Sequence, residues 1–378
     1  MPDPAFSWRG KRVFLTGHTG FKGGWLALWL ASRGATVRGY ALDPSTDPSL
    51  FTTARIASNL GAISPENDIR GDIRNPATLE PALHDFAPEV VFHMAAQPLV
   101  RASYADPIGT YETNVIGTAR VLDAIRRASS VKAVVSVTTD KCYENKETLR
   151  PYRETDPLGG YDPYSSSKAC AEIVSAAYRQ SYFPVEKLGK PGSHHVALAT
   201  ARAGNVIGGG DWSPDRLIPD LVRGFLAGQP VRIRRPHAIR PWQHVLDPLA
   251  GYIALAEHLL SPDAARYATA FNFGPAQDDA QPVQWIAEKM TASWGDGAKW
   301  VLDDSDAPGV HEAGYLMLDA SRARAELNWH PRLSLETALE WLIAWYRAWQ
   351  SGADMHAFTL AQIAAYEKLT RLPPTLTA

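Results

Sequence analysis

Tyr164-Ser165-Ser166-Ser167-Lys168 sets a phenol and an amine at i and i+4, neighbours on one face of a helix. A phenol, with an ordinary pKa near about 10, is a poor base at neutral pH. A cation beside it favours the phenolate, so the pair suits removal of a proton from a hydroxyl group. Upstream, Thr139-Asp140-Lys141 closes the apolar run Val131 to Thr138 and adds a hydroxyl, a carboxyl and a second amine. Open α/β sheets build their sites at the carboxyl ends of strands, which makes these groups candidates for acid–base work rather than a solvated ion pair. Tyr-x-x-x-Lys is common by chance; its meaning here comes from this setting.

A second constellation lies near the start of the chain. Thr16-Gly17-His18-Thr19-Gly20-Phe21-Lys22-Gly23 spaces glycines at i, i+3 and i+6, between the strand-like Arg12 to Thr16 and the helix-like Trp25 to Ser32. Glycine in such a turn permits positive φ, close approach of a pyrophosphate to backbone N–H groups, and tight helix–strand contact. Gly17, Thr19, Gly20, Phe21, Lys22 and Gly23 are therefore candidates to cradle a dinucleotide. The spacing is not Gly-x-Gly-x-x-Gly, and a plain tight turn is the other reading. Asp43, 20 residues past Gly23, is placed to accept hydrogen bonds from an adenosine ribose, which favours NAD over NADP. A solvated carboxylate in the turn Asp43-Pro44-Ser45 is the alternative. Gly71-Asp72-Ile73 follows a third strand candidate and would receive the adenine, with its amino group on Asp72. In His93-Met94-Ala95-Ala96-Gln97, after the fourth, the small Ala95 and Ala96 allow either close approach of the dinucleotide or tight helix packing, and Gln97 is a further candidate to contact the dinucleotide.

These groups need a frame. Strand-like Thr36 to Leu42, Val90 to His93, Val131 to Thr138 and Val196 to Arg202 alternate with helix-length segments, including Thr110 to Ala128 and Ser165 to Tyr182. Such alternation implies right-handed βαβ crossovers, and near-continuous apolar strands imply a parallel sheet covered on both faces. The expected fold is α/β, a Rossmann-type doubly wound parallel sheet. Past Gly204 the rhythm changes. A triple-glycine loop, an accumulation of Pro and Arg, and short strands at Val231 to Ile233 and Phe271 to Phe273 suggest a smaller mixed α/β domain over the strand ends. Helical patterns return at Pro248 to Leu260, Val283 to Trp294, Leu335 to Gln350 and Met355 to Leu369, before a Pro-containing tail.

Composition narrows the function classes. Of 378 residues, 45% are hydrophobic and 21% charged, enough for a sizeable core. Lys+Arg 38 against Asp+Glu 40 leaves a net charge of -2, with no global basic excess for nucleic acid or an anionic membrane. Cys142 and Cys170 make no disulfide framework, and no Cys/His spacing suggests a metal site. No apolar run is long enough for a signal peptide or a membrane span, so a soluble cytoplasmic protein is expected.

Taken together, the glycine turn, Asp72, the strand-end Thr139 and Tyr-x-x-x-Lys resemble the extended short-chain dehydrogenase/reductase superfamily. Longer phrases resemble the CDP-glucose 4,6-dehydratase family within it: Gly17 to Gly23, Thr139-Asp140-Lys141-Cys142-Tyr143, Gly159 to Tyr164, Gly204 to Trp212, and Arg240-Pro241-Trp242-Gln243-His244-Val245. The resemblance covers about residues 8 to 350. It implies an NAD-binding Rossmann-type domain over 8–205, a mainly sugar-nucleotide domain over 206–352 with some segments returning to the first, and a C-terminal helix and tail over 353–378. It also implies a lyase of deoxysugar biosynthesis. Tyr164, with Lys168 and Thr139, would take the C4 hydroxyl proton of CDP-glucose while NAD accepts hydride. Asp140, kept protonated, would release water from C6. Many dTDP-glucose dehydratases carry Glu at the position after this Asp; this chain has Lys141, a candidate base at C5 alongside a bound water or Tyr164. Arg216, Arg234 and Arg240 are candidates for the diphosphate, and Asn205 for phosphate or sugar. Surface placement is the other reading of Arg234. The resemblance further implies a homodimer, or a tetramer, joined through the helices around Thr110 to Ala128 and Ser165 to Tyr182.

Two rivals remain. A sugar-nucleotide 4-epimerase shares the oxidation but has no use for Asp140-Lys141. A non-catalytic NAD-binding protein has no use for Thr139, Tyr164 and Lys168 together.

Overall fold

Period-two alternation builds the central sheet of the computed structural model, which describes residues 6–303 and 315–369. The strands are β1 (Arg12–Thr16), β2 (Thr36–Ala41), β3 (Asp68–Arg70), β4 (Val90–His93), β5 (Ala133–Val137), β6 (Ala197–Ala203), β7 (Asn205–Ile207), β8 (Val231–Ile233), β9 (Ile239–His244), β10 (Ala270–Phe273), β11 (Ala280–Pro282) and β12 (Trp300–Leu302). Val13, Leu15, Val90, Phe92, Val135 and Ala199 face one side of the sheet, where helices Phe21–Ser32 and Leu246–Leu259 cover them. Phe14, Val91, Val134 and Leu198 face the other, beneath helices Pro76–His84, Thr118–Arg126 and Pro163–Ser181. Both faces are apolar, as a parallel sheet sandwiched between helices requires.

Seven strands run parallel in the order β10-β6-β5-β4-β1-β2-β3. The chain winds outward from β1 through β2 and β3, then returns to β4 and winds the other way. The crevice between β1 and β4 is thus the switch point, where such sheets hold ligands. β10, expected in the smaller domain, pairs instead with β6, Ala270 opposite Thr200, and completes the main sheet. The Phe271 and Phe273 side chains are fully buried there, which is what draws this segment back.

Over the strand ends lie a three-stranded sheet, β11-β9-β7, and the pair β12-β8. Helix Phe21–Ser32 starts four residues before its apolar run, because Lys22, Gly23 and Gly24 continue the helix toward the glycine turn without any apolar signal. The segment expected as one helix from Thr110 is interrupted: after Pro107–Tyr111 it widens into a π turn over Glu112–Gly117 before Thr118–Arg126. The terminal helix is Met355–Lys368; the Pro-containing tail lies outside the described residues. Among the described residues, no helix is long and apolar enough to cross a membrane.

Candidate active site

Local folding rules place each group. Gly17 has φ +81, and a Cβ on Gly23 would stand 2.1 Å from the Gly17 carbonyl oxygen, so β1 and helix Phe21–Ser32 can meet only through glycine. Gly20 caps that helix with no side-chain hydrogen bond, and its first turn carries no acidic residue. Its N-terminal N–H groups are therefore left for an anion. At the other end of the site, Asp162 accepts from Ser165 N at 2.9 Å and Pro163 occupies the first helical position. This Asp-Pro start fixes Tyr164 in the first turn, where its own N–H donates to Ser103 Oγ at 3.1 Å.

One cavity of about 960 Å³ opens over the carboxyl ends of the strands. It is lined by Gly17, Thr19, Gly20, Phe21, Lys22, Gly23, Asp43, Asp72, Ile73, Ala95 and Ala96, by Thr139, Asp140, Lys141, Tyr164 and Lys168, and by Asn205, Arg216, Arg234 and Arg240. Trp212 and Trp242 also contribute to its wall. Gln97 does not. Its Nε2 donates to Thr110 Oγ1 at 2.9 Å and Leu99 O at 3.0 Å, and its Oε1 accepts from Leu99 N at 2.6 Å. The side chain is fully engaged in bracing its own loop, and the expected contact with a dinucleotide is corrected to that role.

Within the cavity, Tyr164 is 8% exposed and Lys168 7%. Burial pushes the Tyr164 phenol up to about 12, opposed by its hydrogen bond with Thr139. Burial lowers Lys168 to about 8, opposed by the carboxylate of Glu172. Lys168 Nζ donates to the Val137 carbonyl at 3.2 Å, which ties helix Pro163–Ser181 to the end of β5. Thr139 Oγ1 donates to Asp140 Oδ1 at 2.9 Å. Asp140 is 2% exposed, and its Oδ2 is buried without a partner among the described residues. Burial raises its pKa against the pull of the Lys141 ammonium. Lys141 is itself lowered by burial, and its Nζ lies 6.0 Å from the centre of the Tyr164 ring.

The remaining polar groups spread toward the two ends. Asp72 is gripped by Arg74, whose Nη2 reaches Oδ2 at 2.6 Å and whose hydrogen bonds hold the carboxyl below its usual range. Asp43 is exposed, 3.6 Å from Arg70 Nε. Lys22 Nζ donates to Tyr252 OH at 3.0 Å, and burial lowers its pKa to about 7. Arg216 pairs with Asp211 at 3.0 Å, and Asn205 opens β7 opposite Trp242. Arg234 is exposed at the rim.

Several site groups lie outside what sequence reasoning found. Glu172, one turn past Lys168, accepts from Thr138 Oγ1 at 2.5 Å, Thr200 Oγ1 at 2.8 Å and Arg202 Nη2 at 2.8 Å. Asn114, in the π turn, bridges Gln97 O at 3.1 Å and Ser167 Oγ at 2.9 Å. A carboxylate at i+4 from the lysine was the available signal for Glu172; Asn114 had none, because π turns leave no periodic trace.

A seven-stranded parallel sheet with a glycine turn after its first strand and Tyr-x-x-x-Lys beside its fifth defines the extended short-chain dehydrogenase/reductase class. The family model described as GDP-mannose 4,6 dehydratase matches residues 14–341, and the chain belongs to that family of nucleotide-sugar dehydratases. It is 51% identical over 370 residues, 98% of this chain and 99% of the relative, to the CDP-glucose 4,6-dehydratase of Salmonella typhimurium. It is 27% identical to a dTDP-glucose 4,6-dehydratase of Xanthomonas campestris, over 93% of this chain and 98% of the relative. Among solved structures, dTDP-glucose 4,6-dehydratase from Bacillus anthracis in complex with NAD superposes with a TM-score of 0.71 at 22% identity, covering 91% of this chain and 99% of that one. UDP-glucuronic acid 4-epimerase from Bacillus cereus gives 0.73 at 20% identity, covering 89% and 99%, and shares the fold.

Proposed function

We propose that the chain is an NAD-dependent hydro-lyase that converts CDP-D-glucose to CDP-4-dehydro-6-deoxy-D-glucose and water. The observation that carries this reading is the meeting, in one cavity, of a buried Tyr164–Thr139–Lys168 group with a carboxyl, Asp140, that burial drives toward its protonated form. An epimerase needs the first and not the second. The 51% identity to a CDP-glucose 4,6-dehydratase supports the same substrate.

The residues present fit NAD. The uncapped helix end at Gly20 suits the pyrophosphate, and Gly17, whose Cβ would lie 2.8 Å from Ala95 N, keeps the β1–β4 crevice narrow. Thr19, Phe21, Lys22, Gly23, Ala95 and Ala96 would line the dinucleotide, with Asp72 and Ile73 at the adenine and Asp43 at its ribose. Bound NAD supplies an acceptor for the C4 hydride and returns that hydride to C6.

Tyr164 takes the C4 hydroxyl proton, its phenolate favoured by the Thr139 hydrogen bond and, in this reading, by an ammonium on Lys168 four residues along the same helix. The C4 ketone acidifies C5–H. Lys141, lowered by burial, is the base proposed for that proton, and Asp140 protonates O6 so that it leaves as water; Lys141 then returns a proton to C5 as hydride is added at C6. Arg216 and Arg240, which line the cavity, are the residues proposed for the diphosphate, with Asn205 for the sugar or phosphate and Arg234, at the rim, as a further diphosphate candidate. We divide the chain at about residue 205 into a cofactor part and a mainly substrate-binding part.

We further propose a homodimer. Ile108, Ile116, Ile173 and Tyr182, on the two helical segments expected to pair, are exposed at 67%, 49%, 56% and 48%. Two unpaired thiols, Cys142 and Cys170, are consistent with the cytoplasm.

Incubation with CDP-, dTDP-, GDP- and UDP-glucose, followed by mass spectrometry for loss of water, tests the assignment. Dehydration of CDP-glucose is expected; activity confined to another nucleotide overturns the CDP assignment. With substrate deuterated at C4, the label is expected in the new methyl group. Its loss to solvent would sink the reaction class.

A further inference from the structure

Three consecutive residues at the end of β5 each hold one group of the helix Pro163–Ser181. The Val137 carbonyl accepts from Lys168 Nζ, the Thr138 hydroxyl donates to Glu172, and the Thr139 hydroxyl is hydrogen-bonded to Tyr164. The middle contact is the most elaborate. Glu172 is 3% exposed; Oε1 takes the Thr138 bond, and Oε2 accepts from both Thr200 and Arg202, which is 4% exposed. Arg202 Nη1 in turn donates to Tyr143 OH at 2.8 Å, and that hydroxyl donates to Asn272 Oδ1 at 2.7 Å on β10. A buried carboxylate held by three donors, one helical turn from a buried lysine, is a costly arrangement that a packed apolar residue would replace if structure alone were at stake.

We propose that Glu172 is a positioning residue for the Tyr164–Lys168 pair: its fixed negative charge, one turn behind Lys168, keeps that amine an ammonium, and its bond to Thr138 fixes the strand end that aims Thr139 at the phenol. The inference rests on the reaction proposed above. The groups facing Lys168 leave Glu172 as the counter-charge. From its own helix comes Glu172, from helix Phe21–Ser32 the repelling Lys22, from the end of β4 the neutral His93, and from the turn after β5 the Cys142 thiol, whose pKa burial raises. Burial already draws Lys168 down to about 8 against the pull of Glu172, so loss of the carboxylate would lower it further, toward the neutral amine. Arg202 answers for the buried charge of Glu172, whose own pKa the guanidinium and the two threonines hold low against burial.

The test is a direct titration of Lys168 by NMR in full-length protein carrying 13Cε-lysine, with its resonance assigned by its loss in Lys168→Arg. Glu172→Gln is expected to lower the midpoint by about one pH unit or more. Glu172→Asp, which keeps the charge one methylene further away, is expected to fall between the two. The alkaline limb of the turnover profile should move to lower pH in step. An unmoved midpoint in Glu172→Gln overturns the proposal, as does an equal loss of turnover at every pH with the limb in place. Should the Gln variant not fold, Glu172→Asp decides: a midpoint shifted downward supports the proposal and an unshifted one overturns it. Tyr164→Phe separates the two levels. If that variant turns over normally, the proposed reaction falls; if it is inactive while the Lys168 midpoint ignores Glu172, only this inference falls.

Discussion

Thr139 donates its hydroxyl to Asp140 Oδ1 across 2.9 Å, while Oδ2 of the same carboxyl remains buried with no protein partner among the described residues. A carboxylate in that position would lack a donor on its second oxygen; a carboxylic acid instead has a proton to offer. Asp140→Asn keeps the shape and removes that proton. Oxidation at C4 is expected to continue while elimination slows by roughly 10²–10⁴-fold. Stopped-flow absorbance should then show reduced nicotinamide accumulating with substrate present. Absence of both the reduced cofactor and the product would assign Asp140 a different role.

Tyr164 stands at the opposite side of the same step. Tyr164→Phe is expected to abolish oxidation at C4 while leaving dinucleotide affinity within a few fold, because in the proposed reaction the phenol meets the C4 hydroxyl while the pyrophosphate cradle is formed by the turn from Gly17 to Gly23. Equilibrium dialysis with labelled NAD, beside the absorbance assay, separates these two effects. Normal turnover would refute the base assignment.

Gly204 tests how closely the acid is packed. A Cβ there would come within 2.9 Å of Pro241 Cγ and 3.2 Å of Asp140 Oδ2. Gly204→Ala is expected to push the carboxyl out of line and cut turnover by roughly 10²-fold. The melting temperature should fall only modestly, since the crowding is confined to the cavity edge. Wild-type kinetics in a folded Gly204→Ala protein would show that Asp140 tolerates displacement.

Asp247 gives the chain a pH-dependent stability away from the site. Burial raises its pKa to about 7, while Arg332 N and the Tyr366 hydroxyl both bond to one oxygen and leave the other without a partner. In the unfolded chain the same group titrates near about 3.9. The folded state therefore retains a proton that the unfolded state releases. The stabilisation is fully present below about pH 4 and is lost as pH rises through about 7, with an upper bound of roughly 4 kcal/mol. Asp247→Asn should flatten the fall in melting temperature between pH 5 and 8. An unchanged slope would place the titration elsewhere.

The sheet was readable because its strands carry apolar residues on both faces in runs that end at glycine or at polar turns. Arg12–Thr16 and Val90–His93 fall where the sequence puts them. Asn205–Ile207 and Ala280–Pro282 each open or close on a polar residue or proline and, unlike the β-branched Val231–Ile233, carry no strand signal over their three residues, so their sheet was not foreseen. At the site, Tyr164, Lys168 and Asp140 announce themselves through local spacing. Arg202 does not: it reaches Glu172 across 30 positions of chain, and the Tyr143 hydroxyl it also holds, bonded on to Asn272 of β10, lies farther still. Gln97 misled for the opposite reason. Its position in the chain is beside the cavity, yet the direction of a loop side chain depends on the nearest available donors and acceptors, here Thr110 and Leu99.

The pairing of Ala270–Phe273 with Ala197–Ala203 has a consequence for how the chain is made. Until roughly residue 273 has left the ribosome, the β6 border of the nascent sheet has no neighbour, and its free backbone groups are open to strands of other chains. Severing the gene near codon 205 would make that temporary hazard permanent. The amino-terminal fragment, expressed alone, is expected to aggregate, and supplying the missing half in trans should restore solubility.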